Sequence, residues 1–407
     1  MESASSNTAA PAALIVGAGI AGLAAAIALA RAGARVTLLD ARPAGLPSPN
    51  DRRTTAILDP GIGMLRAFGL WARLVPDSAP LARLRLVSQA RRGQTSVTFE
   101  AAELGLEAFG WNVPNGLLRQ VLETSARRLG VEIEAAAEVT GLDLALDEAT
   151  LVLADGRRLK AGLVVAADGQ NSRLRALAGI EVIQHSYDQA AIVTNFAHGR
   201  PHYDTSTELH RPGGPFTLVP MRGRRSSLVW GERRDDADRL MALPSEAFAA
   251  ELEARVQPWL GHVREVAAPY RFDVASLRAT RFTAPHFLLL GEAAHALSPV
   301  GAQGFNLSLR DVDVLGRLAA EWPSGLGGPD MLAAYEAMRA EDVLLRFTAI
   351  DGLTRLVNAR FGPLQELRSQ GLRLVGGLPP LRRFLMASLM RPARLPRPGL
   401  PTRPFRT

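Results

Sequence analysis

Three glycines at fixed spacing, Gly17, Gly19 and Gly22, lie in the run Ala12 to Gly33, AALIVGAGIAGLAAAIALARAG. As GxGxxG they suit a dinucleotide pyrophosphate. The first glycine permits a tight turn, the second lets the backbone approach the phosphates, and the third lets helix and strand pack closely. Asp40 closes RVTLLD about 20 residues further on, where a ribose hydroxyl needs an acceptor. Two later strand ends repeat the pairing of glycine and acid, at Asp168-Gly169 and at Gly291-Glu292. The last opens a loop running through Pro299, Gly301, Gln303 and Gly304 to Asn306. A helix starting at Gln303 would aim free N–H groups at negative charge, and the two glycines would allow close approach.

These residues need elements to hold them. Leu14, Ile15 and Val16 read as a parallel strand buried on both faces, followed by a helix from about Ala21 to Arg31 that ends at Gly33. Asp59-Pro60 reads as a helix cap with a first-turn proline, and Gly69 as the stop. A further helix is expected near Trp111 to Leu129, with Asn115 at its start. LVLADGRRLKAGLVVAADG contains a DG turn, hence a hairpin, and then an apolar strand, Leu163 to Ala167. From about His185 to Val274 the runs alternate, as in FTLVPM and SSLVWGE, which suggests antiparallel strands; Phe216, Leu218 and Trp230 could wall a substrate pocket there, and a plain core role suits each of them at least as well. The nucleotide pattern returns with a strand at Phe287 to Leu290 and a helix from about Gln303 to Ala320.

The expected class is therefore α/β. A Rossmann-like dinucleotide-binding domain is formed from 11–184 and 278–345, the first part including short strands near 82–110 that join the second sheet. An inserted antiparallel β-sheet substrate domain spans 185–277, C-terminal helices span 346–391, and a Pro-rich tail at 392–407 reads as disordered. Leu381, Phe384, Leu385 and Leu389 fall near one helix face beside Arg382 and Arg383, a pattern shared by a docked helix and by one lying at a membrane surface.

Composition narrows the function. The 407 residues are 47% hydrophobic and contain no cysteine, which removes disulfides, thiolate metal sites and cysteine nucleophiles and suits a reducing, cytoplasmic setting. The opening MESASSNTAAP has no Lys or Arg, unlike a secretory signal. Net charge is +7, carried almost wholly by arginine, but the arginines are scattered and no nucleic-acid motif accompanies them. His185, His198, His202 and His210 lack metal-ligand spacing, so no metal is expected. His295, just after the late motif, suits a structural hydrogen bond better than a catalytic role near the cofactor.

Taken together, GAGIAG, the Asp168-Gly169 pair and the late Gly291-Glu292 motif resemble the single-component FAD monooxygenases. DRRTTAI (Asp51 to Ile57), GPFTLVPMRGRRSSLVW (Gly214 to Trp230) and GEAAHALSPVGAQGFNLSLRDV narrow the resemblance to the ubiquinone-biosynthesis hydroxylases, from about Ala12 to about Leu389. The resemblance implies an enzyme with FAD as cofactor and NAD(P)H and O2 as co-substrates, which adds oxygen to the ring of a polyprenylated phenol. Contact with other ubiquinone-pathway proteins and peripheral membrane contact go with it. It places Arg53 against the flavin pyrophosphate or ring edge, Asp168 where FAD and the incoming nicotinamide are sensed, and Gly291 and Glu292 against the ribityl chain. The expected FAD contacts are thus Gly17, Gly19, Gly22, Asp40, Arg53, Asp168, Gly169, Gly291, Glu292, Pro299, Gly301, Gln303, Gly304 and Asn306.

Two positions depart from the family pattern. Glu292 stands where Asp is usual, and Gly301-Ala302 stands where Ala-Gly is usual. Other readings of the same residues are hydroxylation of a different aromatic compound, reduction of isoprenoid double bonds, and a non-catalytic lipid-binding or scaffold subunit.

Overall fold

A computed structural model describes residues 12–43, 53–90, 93–211, 213–358 and 362–390. Six strands form the first sheet, in the order Thr283–Ala284, Phe287–Leu289, Leu163–Ala166, Ala12–Val16, Arg35–Asp40 and Glu132–Ala135. All but the first edge strand run parallel. Their apolar runs are continuous because helices cover both faces. The Ala-rich helix Ile20–Arg31 is buried from Gly22 to Leu29, wedged between the late helix Gln303–Glu321 and the helix Asn115–Arg128. Small residues make that close approach possible, since a Cβ on Gly316 would lie 3.1 Å from the Cβ of Ala28.

The second sheet is mostly antiparallel. It runs His295–Ala296, Tyr270–Ala279, Val182–His198, Arg225–Arg233, Gly214–Met221, Thr205–Arg211, Arg83–Ala90 and Gly93–Glu100, with Val263–Arg264 paired to the long strand. One face is sealed by the helices Arg234–Met241 and Ser245–Leu260, the second packing its Phe248 over Phe196, Phe216 and Trp230. Over the far end of the sheet lies the helix Gly362–Gly377.

Several expectations change. Of the stretch 82–110, Arg83–Ala90 and Gly93–Glu100 enter the second sheet, whereas Gly110–Pro114 pairs with Thr54–Leu58 and Ala79–Pro80 in a sheet of their own. The boundary expected after 277 falls inside the strand Tyr270–Ala279, and the one after 345 inside the continuous helix Pro329–Asn358. Asp59 is the first helical residue rather than the cap, which is Leu58. The tail at 392–407 lies outside the described residues.

The final helix, Pro379–Met390, docks through Met386 onto Val97 and Phe99, and Arg382 pairs with Glu103 at 2.8 Å. Phe384 stays 66% exposed and Leu385 37%, so the docked helix still presents apolar surface; the side chain of Leu389 is outside the described residues. Among the described residues, no helix is long and apolar enough to cross a membrane.

Candidate active site

The strand Ala12–Val16 runs into Gly17, whose φ of +108° only glycine adopts easily. A Cβ there would lie 2.3 Å from the Ala167 carbonyl oxygen, and one on Gly22 only 1.9 Å from that of Gly17. Gly17 and Gly22 are therefore required by the protein's own backbone. Gly19 differs: nothing lies within 4 Å of its Cβ position, and it lines the cleft. It caps the helix Ile20–Arg31 without any side-chain hydrogen bond, leaving first-turn N–H groups for an anion.

The cleft encloses about 1520 Å³, larger than the roughly 300–1,000 Å³ of a site for one small ligand. Of the expected contacts, Gly19, Asp40, Arg53, Gly169, Glu292 and Pro299 form its walls. At one end Val193, Ser227, Val229, Phe272 and Phe305 give a largely apolar wall that fits an aromatic ring. At the other stand Arg42 and residues of the helix Asn115–Arg128, including Arg119.

Asp40 is more heavily engaged than its ribose role suggests. Its Oδ1 accepts from the Arg42 backbone N–H at 2.9 Å and from Nε at 3.0 Å; its Oδ2 accepts from the Ala18 N–H at 3.2 Å and Arg42 Nη2 at 2.7 Å. Those four bonds match the roughly four acceptor positions of a carboxylate. Burial pushes this carboxyl up, but the Arg42 hydrogen bonds and charge more than offset that and hold it below the ordinary range. A ribose hydroxyl is thus accepted only where an Arg42 donor gives way. Arg42 is about half exposed and able to do so.

Asp168 receives the Leu174 N–H on Oδ2 at 3.1 Å, while its buried Oδ1 has no partner. An orphaned acceptor beside Gly169, together with the open cradle at Gly19, fits a polyhydroxylated, phosphate-bearing cofactor such as FAD. The buried Arg175 fixes this corner by donating to the carbonyls of Ala293 and Gln170.

The late motif divides its labour. Glu292 faces the cleft, whereas Gly291 is turned inward at φ +64° and donates its N–H to Asp311 Oδ2 at 2.9 Å. His295 shares that oxygen through Nε2 at 2.7 Å and is 1% exposed, so it is a buried brace that does not reach the cleft. Arg339 Nε meets Asp311 Oδ1 at 2.7 Å and its Nη1 meets Asp342 Oδ2 at 2.7 Å. Burial pushes both carboxyls up, but their charged partners outweigh it and hold them below the usual range. Arg310, crowded by burial and by Arg346 and Arg339, falls to about 10.

Gln303 and Asn306, expected at the cofactor, are used by the protein itself. Gln303 Oε1 accepts from Arg346 at 3.0 Å. Asn306 accepts the Leu58 N–H and donates to the carbonyls of Ala56 and Ala302, each at 2.8 Å, clamping the strand Thr54–Leu58 to the late helix. Gly301 and Gly304 do not form the cleft wall; open space surrounds the Cβ position of Gly304, whereas that of Gly301 lies 4.0 Å from the side chains of Gln303 and Ile350. Ala302 adopts φ +53°, so its departure from glycine is felt as left-handed backbone strain.

Phe216, Leu218 and Trp230 do not wall the cleft. They are at most 2% exposed and pack beneath the helix Ser245–Leu260. Successive strand residues face opposite sides, so their neighbours Ser227 and Val229 reach the cleft instead. The bulkier set of an alternating strand marks the covered face, and that signal was present in SSLVWGE. No motif announced the roles of Arg175, Asp311, Arg339 or Asp342; the bonds that tie them to the site, Arg175 to Ala293 and Arg339 to Asp311, join residues distant in sequence.

The FAD binding domain family matches residues 11–344 of this chain. Ubiquinone hydroxylase UbiL of Rhodospirillum rubrum is 39% identical over 384 residues, covering 93% of this chain and 89% of that one. The 3-demethoxyubiquinol 3-hydroxylase of Escherichia coli is 30% identical over 370 residues, covering 88% and 93%. Among solved structures, p-nitrophenol 4-monooxygenase PnpA of Pseudomonas putida DLL-E4 shares the fold at a TM-score of 0.78 and 20% identity, covering 95% of this chain and 99% of that one.

Proposed function

The chain belongs to the FAD binding domain family and, within it, to the ubiquinone-biosynthesis hydroxylases, and on that premise we propose that it hydroxylates the ring of a polyprenylated phenol. It is an FAD-dependent monooxygenase. The balance is phenol, NAD(P)H, a proton and O2 giving the ring-hydroxylated product, NAD(P)+ and water. FAD, when bound, supplies the two-electron chemistry that links the nicotinamide to oxygen.

The carrying observation is one continuous cleft that joins the phosphate cradle at Gly19 to the apolar wall of Val193, Val229 and Phe272. In this reading Gly19 and the helix behind it hold the pyrophosphate, Asp40 and Arg42 take the adenosine end, and Glu292 and Pro299 bound the flavin side. Phe272 and Phe305 exclude water around the ring, which limits loss of reducing equivalents as peroxide. The test supplies purified holoenzyme with NAD(P)H, 18O2 and a short-chain prenylphenol. One 18O atom in the product supports the reading; a reduced prenyl chain without label supports the isoprenoid reductase instead. Stable protein that never retains FAD supports the scaffold reading.

A lipid-soluble substrate gives surface contact a use. Leu378, Phe384 and Leu385 are exposed on or beside the final helix, with Arg383 among them. This face rests on the membrane in the proposed arrangement, where other enzymes of the pathway would hand on the substrate. Flotation with anionic vesicles compares the full chain with one ending at Leu378; equal binding by both removes this part.

A further inference from the structure

A second cavity, of about 520 Å³, lies against the first. Arg53 belongs to the walls of both, so one side chain stands between them. The remaining walls are partly apolar, from Pro114, Met221 and Val266, and partly charged, from Arg225 and Glu265. Glu265 has a left-handed backbone, φ +49°, unusual for a residue with a side chain, and is paired to Arg225. Met221 and Arg225 bracket the turn of a hairpin, and Arg222 and Arg224 extend from that turn into solvent. Among the described residues Arg222 pairs with Asp77, at 3.9 Å with both side chains about two-thirds exposed, and Arg224 donates to the Gly199 carbonyl.

We propose that this side cavity and its arginine turn form the docking place of the nicotinamide dinucleotide. Its phosphates lie on Arg222 and Arg224, and its nicotinamide end enters past Met221 toward Arg53. The inference rests on the reading that the main cleft holds FAD, because that cofactor takes the glycine cradle and leaves the second dinucleotide without one. The chemistry of the walls selects the ligand. A dinucleotide carries two or three phosphate groups, which a cluster of guanidinium donors recognises, and a flat ring, which the apolar wall accepts. The volume lies within the usual range for a ligand site of this kind. A polyprenyl tail would instead strip water from the Arg225–Glu265 pair and offer its remaining donors and acceptors no polar partner.

The test uses full-length, FAD-loaded protein and titrates it with NAD+, NADP+ and ADP-ribose by calorimetry at several salt concentrations. Replacing both exposed arginines, Arg222→Gln with Arg224→Gln, should leave the FAD stoichiometry intact. It should weaken the preferred nucleotide and ADP-ribose alike by about tenfold, since charged hydrogen bonds to phosphate are lost. The salt dependence should become shallower, and Arg222→Lys with Arg224→Lys should keep most of the affinity. Unchanged nucleotide affinity overturns the proposal, as does a loss confined to FAD or to the phenol. If the parent holoenzyme binds none of the three probes, this proposal is overturned, while 18O incorporation decides the hydroxylation reading separately.

Discussion

Arg339 Nε lies 2.7 Å from Asp311 Oδ1, and both side chains are almost wholly closed to solvent. Through this pair the long helix Pro329–Asn358 reaches the turn that begins at Gly291, whose N–H is bonded to the other oxygen of Asp311. The late motif is therefore positioned from behind, by charge buried beneath it. Arg339→Met would strand the Asp311 carboxylate and should cost about 3–5 kcal/mol, read from urea unfolding. Adding Asp311→Asn should recover part of the loss; no recovery would show that Arg339 acts by packing.

Acid should weaken the same region. Asp311 and Asp342 are held below the ordinary carboxylate value of 3.8 in the folded protein. Their stabilisation is fully present above that unfolded value and is lost as pH falls through the lower folded values. The urea midpoint should change little on their account from about pH 8 to about pH 5 and fall below about pH 4. Asp342→Asn should flatten the acid limb.

The motif glycines should separate by experiment. Gly22→Ala puts a methyl 1.9 Å from the Gly17 carbonyl oxygen and should prevent correct folding. Gly19→Ala meets nothing within 4 Å in the protein. It should leave the melting temperature of the flavin-free protein unchanged while lowering FAD retention, measured by absorbance after gel filtration. Equal retention would remove Gly19 from the phosphate cradle.

Ala302→Gly should stabilise the protein. The left-handed backbone at φ +53° costs an alanine about 1 kcal/mol. Thermal unfolding should show a small gain, and a loss would mean that the methyl has a packing role.

The two faces of one strand should respond differently to substitution. Trp230→Ala opens the sealed core and should cost about 3–5 kcal/mol, while also removing the indole donor to Glu232. Val229→Phe should scarcely change unfolding but should raise the KM for the phenol by narrowing the cleft. Unchanged kinetics would place the ring elsewhere.

Local sequence carried much of this architecture. The glycine spacing, the apolar run Leu163 to Ala166 and the strand ending at Asp40 mark out the parallel sheet and its crossing point, because each signal lies within a few residues of its effect. What the chain did not disclose depends on contacts between distant segments. The Asn306 amide serves residues near 56, and Asp311 is held by Arg339 and His295 from separate elements. Asp40 could be read as a ribose acceptor, but its engagement by Arg42 could not. At Trp230 the alternation left a pocket role and a core role both open, and the helices cover the bulkier of its two sets.

The short strand His295–Ala296 is bonded to Leu277 and Arg278, and the Ala279 N–H to the Ala294 carbonyl at 2.8 Å. Phe272, on the wall of the cleft, belongs to that same strand, Tyr270–Ala279. The second sheet and the turn carrying Glu292 are thus joined through the backbone at the strand edge. Phe272 and Glu292, which both face the cleft, are therefore held in register by one continuous run of backbone hydrogen bonds.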